Sequence, residues 1–583
     1  MEVKVFRAAL VPSAYPCSGL SDDDYLTKEP GMFPDVLVPL PASTVRAVPG
    51  QWRALWVQIC IDRDMRPGNY AVTVSVSVKD GEILWKREAE IMVHSGKLPV
   101  QRLIHTEWLH ADCLADYYRV PVFSEQHWQI LKKFVTLAAE SGINMILTPL
   151  FTPPMDTAVG GERTTVQLVD AELTEEGWKF GFSRLGRWIS MCRECGIVWL
   201  EMAPLFTQWG AAAAPKIMAL KEGRQQQVFG WDTDAAGEEY RVFLMEFLPR
   251  LKAYLQKKGV LEHTWFHVSD EPGMKDLDSY RSAVQCMHSG LGDCRFLDAL
   301  SDFEFYRLGL VEHPVVASDH LEPFLEAEIP DLWTYYCCVQ GVDVSNRFFA
   351  MPSERNRILG IQLYLYRMQG FLQWGYNFYN TRFSLQHIDP FAVTDSGESF
   401  PSGDAFLVYP GPDGHPFSSI RLEVLRDAME DLRALEALEQ YTSRDSVEAL
   451  IRETAGMDIT FKRYPKEHDF LLRLRERVNR EISLNAERTA AGYCSHVTVP
   501  QGSPRVMEPC FAKKQVAYPE AFSYNHITVQ VTSMSYSAGG NIWQGRNLRN
   551  WIYVTRFYLR RSLEDEVICR LILEMILGRP IAK

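Results

Sequence analysis

Eight short apolar runs, most of them followed by a stretch of helical periodicity, constrain the fold of this chain more than any other feature. The runs are Leu103–Trp108, Asn144–Thr148, Ile197–Met202, Thr264–Val268, Arg295–Ala299, Pro314–Ala317, Leu332–Val339 and Gly370–Trp374. The helical patterns between them include Glu125–Ser141, Ser183–Cys195, Gly237–Lys258, Leu277–His288 and Ser353–Met368. Strands buried on both faces read as apolar runs, and parallel strands need helical crossovers. Eight such units predict a (β/α)8 barrel.

The segments on either side of these units have a different texture. Ala54–Ile61 and Tyr70–Val78 alternate apolar and polar residues, which predicts half-buried strands and an N-terminal β-sandwich. Ser418–Tyr441 is a strongly amphipathic helical pattern, with more helix after it. We therefore predict an α/β protein with a sandwich over 1–98, a catalytic (β/α)8 TIM-like barrel over 99–430, a C-terminal helical extension over 431–490, and a segment of unknown role over 491–583.

The last segment does not fit the barrel pattern. It contains a strand-like piece, Ile527–Met534, and a helix-like piece, Leu563–Leu577, in surroundings rich in Gly and Asn. Its relation to the rest of the chain is left open by the sequence.

Charge and composition exclude several classes of partner. The 583 residues include 61 Lys and Arg against 74 Asp and Glu, a formal net charge of −13, which argues against nucleic acid or an anionic membrane as the main partner. No apolar run is long enough to span a membrane, and no signal-peptide pattern is visible, so we expect a cytoplasmic protein. Twelve Cys in a chain of this length do not indicate a disulfide framework. A homo-oligomer is left open.

The fourth apolar run ends in two adjacent acids, Asp270 and Glu271, followed by Pro272. Reactive groups of a barrel lie at the C-terminal ends of its strands. A carboxylate pair there suits acid–base catalysis, in which one partner stays ionised and the other donates a proton. The alternative is that either acid only caps the next helix. We take Asp270 and Glu271 as the candidate catalytic residues.

Aromatic and amide side chains follow several of the other runs. Rings bind the C–H face of a sugar and polar groups bind its hydroxyls, so this pattern predicts a sugar pocket, with core packing as the alternative. The candidate substrate-binding residues are Trp108, Gln208, Trp209, His267, Tyr335, Tyr336, Trp374 and Asn377.

The histidines do not form a metal-binding pattern. His105 and His110 are five residues apart, and no H-x-H or H-E-x-x-H motif occurs. Cys192 and Cys195 form an isolated C-x2-C with no second pair at zinc spacing. We expect neither a catalytic metal nor another cofactor.

Several of these stretches, taken in order, resemble glycoside hydrolase family 123. They are Thr106-Glu107-Trp108, Leu205–Ala211, Ser269-Asp270-Glu271-Pro272, Trp374-Gly375-Tyr376-Asn377 and Leu407–Gly411. The resemblance extends from about residue 30 to residue 480 and implies a β-sandwich followed by a (β/α)8 barrel. It also implies an exo-acting β-N-acetylgalactosaminidase that acts on oligosaccharides or glycoconjugates with a terminal β-linked N-acetylhexosamine.

The resemblance further implies retention of configuration by substrate assistance, in which the 2-acetamido oxygen of the sugar attacks the anomeric carbon. Asp270 would orient that group, and Glu271 would be the acid and then the base. Tyr335 or Tyr336 would bind the acetamido carbonyl, and Trp374 would form the floor of the site. Two alternatives stay open: a retaining glycosidase with a carboxylate nucleophile such as Glu201 facing Glu271, and a glycan-binding barrel without catalysis.

Overall fold

The structure is a computed structural model that describes residues 2–40, 43–46, 53–61, 64–78, 81, 83–493, 527–534 and 552–554. Strands are numbered β1–β22 and helices α1–α12 along these residues. Ten strands form two sheets around the N-terminal region: β1 (Glu2–Ser13), β2 (Gly31–Pro39), β3 (Thr44–Val45), β4 (Ala54–Ile61), β5 (Gly68–Val78), β6 (Ile83–Val93), β19 (Tyr409–Pro410), β20 (Pro416–Ser419), β21 (Ile527–Met534) and β22 (Ile552–Val554).

The two sheets have the orders β19-β20-β2-β1-β4-β22 and β3-β21-β5-β6. A small apolar cluster joins them, because Ile59 and Ile61 of β4 pack with Val72 of β5 and Ile91 of β6. Alternating strands bury one face in this way, and the predicted N-terminal sandwich is confirmed.

Parts of the C-terminal segment complete these sheets. The strand-like piece Ile527–Met534 is β21 and pairs antiparallel with β5 and β3, while β22 pairs with β4. The helix-like piece Leu563–Leu577 lies outside the described residues. The sequence alone did not place this segment, because strand pairing over a separation of several hundred residues leaves no local signal.

The eight predicted runs form a closed parallel barrel, as predicted. Its strands are β7 (Ile104–Glu107), β8 (Met145–Thr148), β11 (Trp199–Met202), β14 (Thr264–Phe266), β15 (Arg295–Ala299), β16 (His313–Ala317), β17 (Trp333–Tyr335) and β18 (Gly370–Gln373). They pair in chain order, and β18 pairs with β7 to close the ring.

The barrel interior is filled rather than open. Trp265 and Trp333 meet edge to face inside it, with ring centroids 5.4 Å apart. Gly370 lies opposite Trp333 in the β17–β18 register, and a side chain there would overlap the indole. The glycine therefore leaves room for the large ring that fills this level of the core.

Helices surround the barrel and join it to the sandwich. They are α1 (Ala111–Tyr118), α2 (Glu125–Glu140), α3 (Ser183–Cys195), α4 (Glu238–Lys258), α5 (Leu277–Leu291), α6 (Phe303–Arg307), α7 (Glu322–Glu326), α8 (Ser353–Arg357), α9 (Leu359–Leu365), α10 (Ile420–Tyr441), α11 (Arg444–Ala455) and α12 (Phe470–Tyr493). A further sheet of β10 (Gly177–Gly181), β9 (Asp170–Thr174), β12 (Ile217–Lys221) and β13 (Arg224–Phe229) is inserted after β8 and β11. None of the helices within the described ranges is long and apolar enough to cross a membrane.

Helix α10 connects the layers, since it packs against α8, α9, α12 and strand β2. Its Arg421 forms a buried bidentate ion pair with Asp35 of β2, at 2.9 and 3.0 Å. The same guanidinium donates to the carbonyls of Gly403 and Phe406, and Tyr409 donates to Asp35 at 2.6 Å. This cluster holds the sandwich, the last barrel loop and α10 in a single arrangement.

We expect Arg421→Ala to destabilise the protein strongly, because it leaves the Asp35 carboxylate buried without its cation. Breaking one partner of a buried pair costs roughly 3–5 kcal/mol. The matched control is Arg241→Ala, which removes an exposed pair with Glu238 and should cost under about 1 kcal/mol. Scanning calorimetry measures both, and equal shifts in Tm would contradict this account of the junction.

Candidate active site

The acids Asp270 and Glu271 lie at the carboxyl end of the barrel, shortly after β14. The Trp209 N–H donates to the Asp270 carbonyl at 2.9 Å, and the Glu271 N–H donates to the Ala299 carbonyl of β15 at 3.0 Å. Glu271 has a φ of 45°, a left-handed conformation that is uncommon for non-glycine residues and concentrated at functional sites. This turn ends the strand alternation, so the two carboxylates are not forced onto opposite faces.

The two carboxylates have different surroundings. Asp270 is half-buried, and its carboxylate accepts no hydrogen bond within the described part of the chain. Glu271 is exposed, and its Oε1 accepts a hydrogen bond from the Tyr335 hydroxyl at 2.8 Å. Burial and, second, the adjacent Glu271 carboxylate raise the pKa of Asp270 well above its usual range. The pair therefore keeps one proton to a higher pH than two separate carboxylates would.

A buried charged chain lies on the barrel side of this pair. His267 is held between two carboxylates, with Nε2 2.6 Å from Glu201 Oε1 and Nδ1 3.2 Å from Asp298 Oδ1. The three side chains are at most 2% exposed. Burial disfavours the charged ring, but the hydrogen bonds to Asp298 and Glu201 outweigh it and raise the pKa of His267 to about 10. The ring is therefore an imidazolium at neutral pH.

Further donors saturate both carboxylates of this chain. The Thr106 hydroxyl donates to Glu201 Oε2, and the Trp108 indole N–H donates to Glu201 Oε1 at 2.8 Å. The Tyr280 hydroxyl donates to Asp298 Oδ2 at 2.5 Å. Both oxygens of Glu201 are thus occupied inside the barrel.

Loops that follow three different strands meet at the rim beside Asp270. Gln208 Oε1 accepts the Asp156 N–H at 2.5 Å, and Asp156 Oδ2 accepts the Phe383 N–H at 3.0 Å. Trp209 is 42% exposed, and its ring meets Phe383 edge to face with centroids 5.7 Å apart. Gln208 is buried, and its Nε2 has no partner among the described residues. The rim therefore presents an aromatic face and an unused amide donor.

The end of β18 contributes a second aromatic face. Trp374 is half-buried, packs against the interior cluster that contains Tyr335, and donates its indole N–H to Asp404 Oδ2 at 3.0 Å. Asp404 Oδ1 accepts a hydrogen bond from Gln373 at 3.0 Å. Burial raises the pKa of Asp404 to about 7, against the opposing effect of the Arg347 guanidinium. These contacts fix the orientation of Trp374 at the barrel mouth.

The structure thus gathers six of the predicted site residues at the mouth: Asp270, Glu271, Gln208, Trp209, Tyr335 and Trp374. The other four are buried with their polar atoms paired inside the fold: Trp108, His267, Tyr336 and Asn377. Tyr336 lies in the outer layer with its hydroxyl 3.3 Å from Asn356, and Asn377 exchanges two hydrogen bonds with the His110 backbone.

Sequence reasoning missed several groups that shape the site. Asp298 stands alone as an acid inside an apolar run, which is a signal that was available. Asp404 and Asp156 lie on long loops with no local pattern. Arg347, which forms a buried ion pair with Glu107 at 2.8 Å, likewise comes from a loop. Only the tertiary fold brings these loop residues to the strand ends.

The histidines considered as metal ligands have other roles. His110 is buried beside Arg163, whose guanidinium pairs with Asp112 at 2.8 Å. Burial and then the Arg163 charge lower the pKa of His110 to about 4, which leaves the ring neutral. In the part of the chain that is described, no group of three or more His, Cys, Asp or Glu side chains is arranged around a common metal position.

Comparison with known proteins identifies relatives of this arrangement. The family model for the catalytic domain of glycoside hydrolase 123 matches residues 108–438. Among solved structures, the chain is similar to a family 123 glycoside hydrolase from Clostridium perfringens, with 15% identity, a TM-score of 0.60, and coverage of 84% of this chain and 87% of that one. That structure was determined to explain glycolipid glycan hydrolysis.

More distant matches include a β-galactosidase from Bacillus circulans sp. alkalophilus, with 9% identity, a TM-score of 0.31, and coverage of 57% of this chain and 56% of that one. A search of curated protein sequences finds no match.

Asp404 gives the site a measurable dependence of stability on pH. Between its ordinary value of 3.8 and about 7, the unfolded chain has lost the Asp404 proton and the folded chain has not. This group therefore makes the protein less stable as pH rises through that window, by at most about 1.4 kcal/mol per pH unit. Asn at this position keeps an acceptor for Trp374 and does not titrate.

We expect the difference in Tm between Asp404→Asn and wild type to move in favour of the variant from pH 5 to pH 7 and to level off above. Thermal unfolding at fixed ionic strength measures it. Asp23→Asn, at an exposed acid, should follow the wild type throughout. A difference that stays constant from pH 5 to pH 8 would contradict the assignment of this titration to Asp404.

Proposed function

The chain belongs to glycoside hydrolase family 123, and from this premise we propose that it is an exo-acting β-N-acetylgalactosaminidase that retains configuration by substrate assistance. The observation that carries the proposal is the state of the two reacting carboxylates. Asp270 is unpaired and open to a ligand, while Glu271 is exposed beside it and is oriented by Tyr335. A glycosidase with one free anion and one oriented acid needs no further carboxylate if the sugar provides the nucleophile.

The proposed first step forms a bond between the acetamido carbonyl oxygen and the anomeric carbon, while the bond from that carbon to the glycosidic oxygen breaks. Glu271 transfers its proton to the departing oxygen. Asp270 accepts a hydrogen bond from the acetamido N–H and stabilises the positive charge of the oxazolinium intermediate. Water then attacks the anomeric carbon, Glu271 takes up its proton, and the acetamido group is restored. Two displacements at one carbon give overall retention.

The remaining residues at the mouth have supporting roles in this proposal. Trp374, fixed by Asp404, forms the floor for the terminal sugar, and the Tyr335 hydroxyl lies where it reaches both Glu271 and the acetamido carbonyl. The exposed Trp209 and the unused Gln208 amide lie at the rim, where the rest of the glycan leaves the barrel. The substrate class is an oligosaccharide or glycoconjugate with a terminal β-linked N-acetylhexosamine.

The two alternatives receive less support from the contacts. A carboxylate nucleophile at Glu201 would have to give up hydrogen bonds to Thr106, Trp108 and His267 and leave a fully buried position. Desolvated carboxylates with both oxygens bonded are poor nucleophiles. A glycan-binding protein without catalysis has no need for the left-handed turn that presents Glu271.

Substrate pairs test this function directly. We expect aryl β-glycosides of N-acetylgalactosamine to be hydrolysed, and the 2-hydroxy galactosides with the same leaving group to be inert, because they lack the internal nucleophile. The gluco-configured 2-acetamido analogue reports on specificity at C4. A thiazoline mimic of the intermediate should inhibit competitively. Comparable turnover of the 2-acetamido and 2-hydroxy substrates would favour a protein nucleophile, and binding without turnover would favour the non-catalytic alternative.

Replacing the two acids separates their roles. We expect Asp270→Asn and Glu271→Gln each to lower kcat by roughly 100-fold or more without loss of folding. Glu271→Gln should be partly spared on aryl substrates with very good leaving groups, which need little protonation, whereas Asp270→Asn should not be. Equal losses on good and poor leaving groups would count against Glu271 as the acid. Circular dichroism and Tm control for folding.

A further inference from the structure

Three neighbouring strands of the barrel contribute the buried chain beneath the reacting pair. Glu201 comes from β11, His267 follows β14, and Asp298 comes from β15, and these strands are adjacent in the ring. Both ring nitrogens of His267 are bonded to carboxylates at 2.6 and 3.2 Å. A doubly bonded imidazole between two anions must carry two protons, because each nitrogen needs an N–H to donate.

The charges that act on Asp270 have unequal signs. Glu271 follows it in the chain, Glu201 faces it from β11 and Asp298 from β15, and all three are negative when ionised. His267 is the one positive group among them. Tyr335 of β17 reaches the pair as a neutral phenol that binds Glu271. Without the imidazolium, an anion at Asp270 would face only like charges in a half-buried place.

We propose that His267 is a positioning residue for the reaction: its fixed positive charge, held by Glu201 and Asp298, keeps Asp270 ionised so that the shared proton resides on Glu271. This inference rests on the proposed function, since it assigns a cause to the division of roles between the two acids. It also gives Glu201 a purpose other than nucleophilic attack, because Glu201 is the carboxylate closest to the ring and holds it in the charged form.

The inference predicts opposite effects for two conservative variants. His267→Gln removes the positive charge but keeps an amide donor, so the acid limb of the kcat/KM–pH profile should move to higher pH by about one unit or more. Glu201→Gln removes a negative charge, and Asp298 still holds the ring, so the acid limb should move to lower pH. A purely structural role would impair both variants without moving their limbs in opposite directions.

The matched control is His263→Gln, an exposed histidine just before the opposite end of β14. It lies outside the catalytic end of the barrel, so its pH profile should coincide with that of the wild type. The profiles are measured on the 2-acetamido aryl substrate with an activated leaving group, which reduces the demand on Glu271. Limbs that move in the same direction, or that do not move in folded variants, would overturn the proposal.

A second measurement needs neither substrate nor a folded His267 variant. In 15N-histidine-labelled wild-type protein, the His267 ring should keep both N–H protons up to at least pH 8.5, with its signal assigned by its shift in Glu201→Gln. A ring that becomes neutral below pH 8 would overturn the proposal regardless of activity. If the ring stays charged but the 2-acetamido substrate is not cleaved, the proposed function fails and the fixed charge stands.

Discussion

Closure of the barrel, where β18 pairs with β7, is the constraint on which the rest of the site depends. This seam places the ends of the first and last strands side by side, and Arg347 secures it by binding Glu107 of β7 and the carbonyl of Gly375 after β18. Parallel strands that all end on one face bring loops from every part of the barrel to the same opening. Without this seam, Trp374 and Tyr335 would have no fixed relation to Asp270.

The closed barrel also creates an electrostatic problem that its own side chains resolve. Four carboxylates, Glu107, Glu201, Asp298 and Asp404, are buried within or beside the interior. Each is satisfied locally: Arg347 pairs with the first and lowers the pKa of the last, and hydroxyl, indole or imidazolium donors bind the others. A buried carboxylate without such partners would be protonated or would destabilise the fold. Asp270 is the exception, which fits a group that receives its partner only when a ligand binds.

The sequence predicted the architecture well because the barrel strands are short, apolar and separated by amphipathic helices. Every one of the eight runs became a strand, and the acidic pair was located by its position after the fourth. The sequence could not separate Tyr335 from Tyr336, since adjacent strand residues face opposite sides and only the barrel register decides which faces inward. It also could not locate Asp404 or Arg347, because their contacts join loops to strands far away in the chain.

The buried chain changes how the carboxylates at this end of the barrel should be interpreted. By composition alone, Glu201 and Glu271 form a plausible retaining pair, because both follow barrel strands or lie at their ends. The contacts distinguish them, since Glu201 is committed to Thr106, Trp108 and His267, whereas Glu271 meets solvent and a single phenol. Count and position of acids therefore do not define a glycosidase mechanism. What matters is which acid is left unpaired, and in this barrel the unpaired acid is the one best placed to receive the amide of a bound sugar.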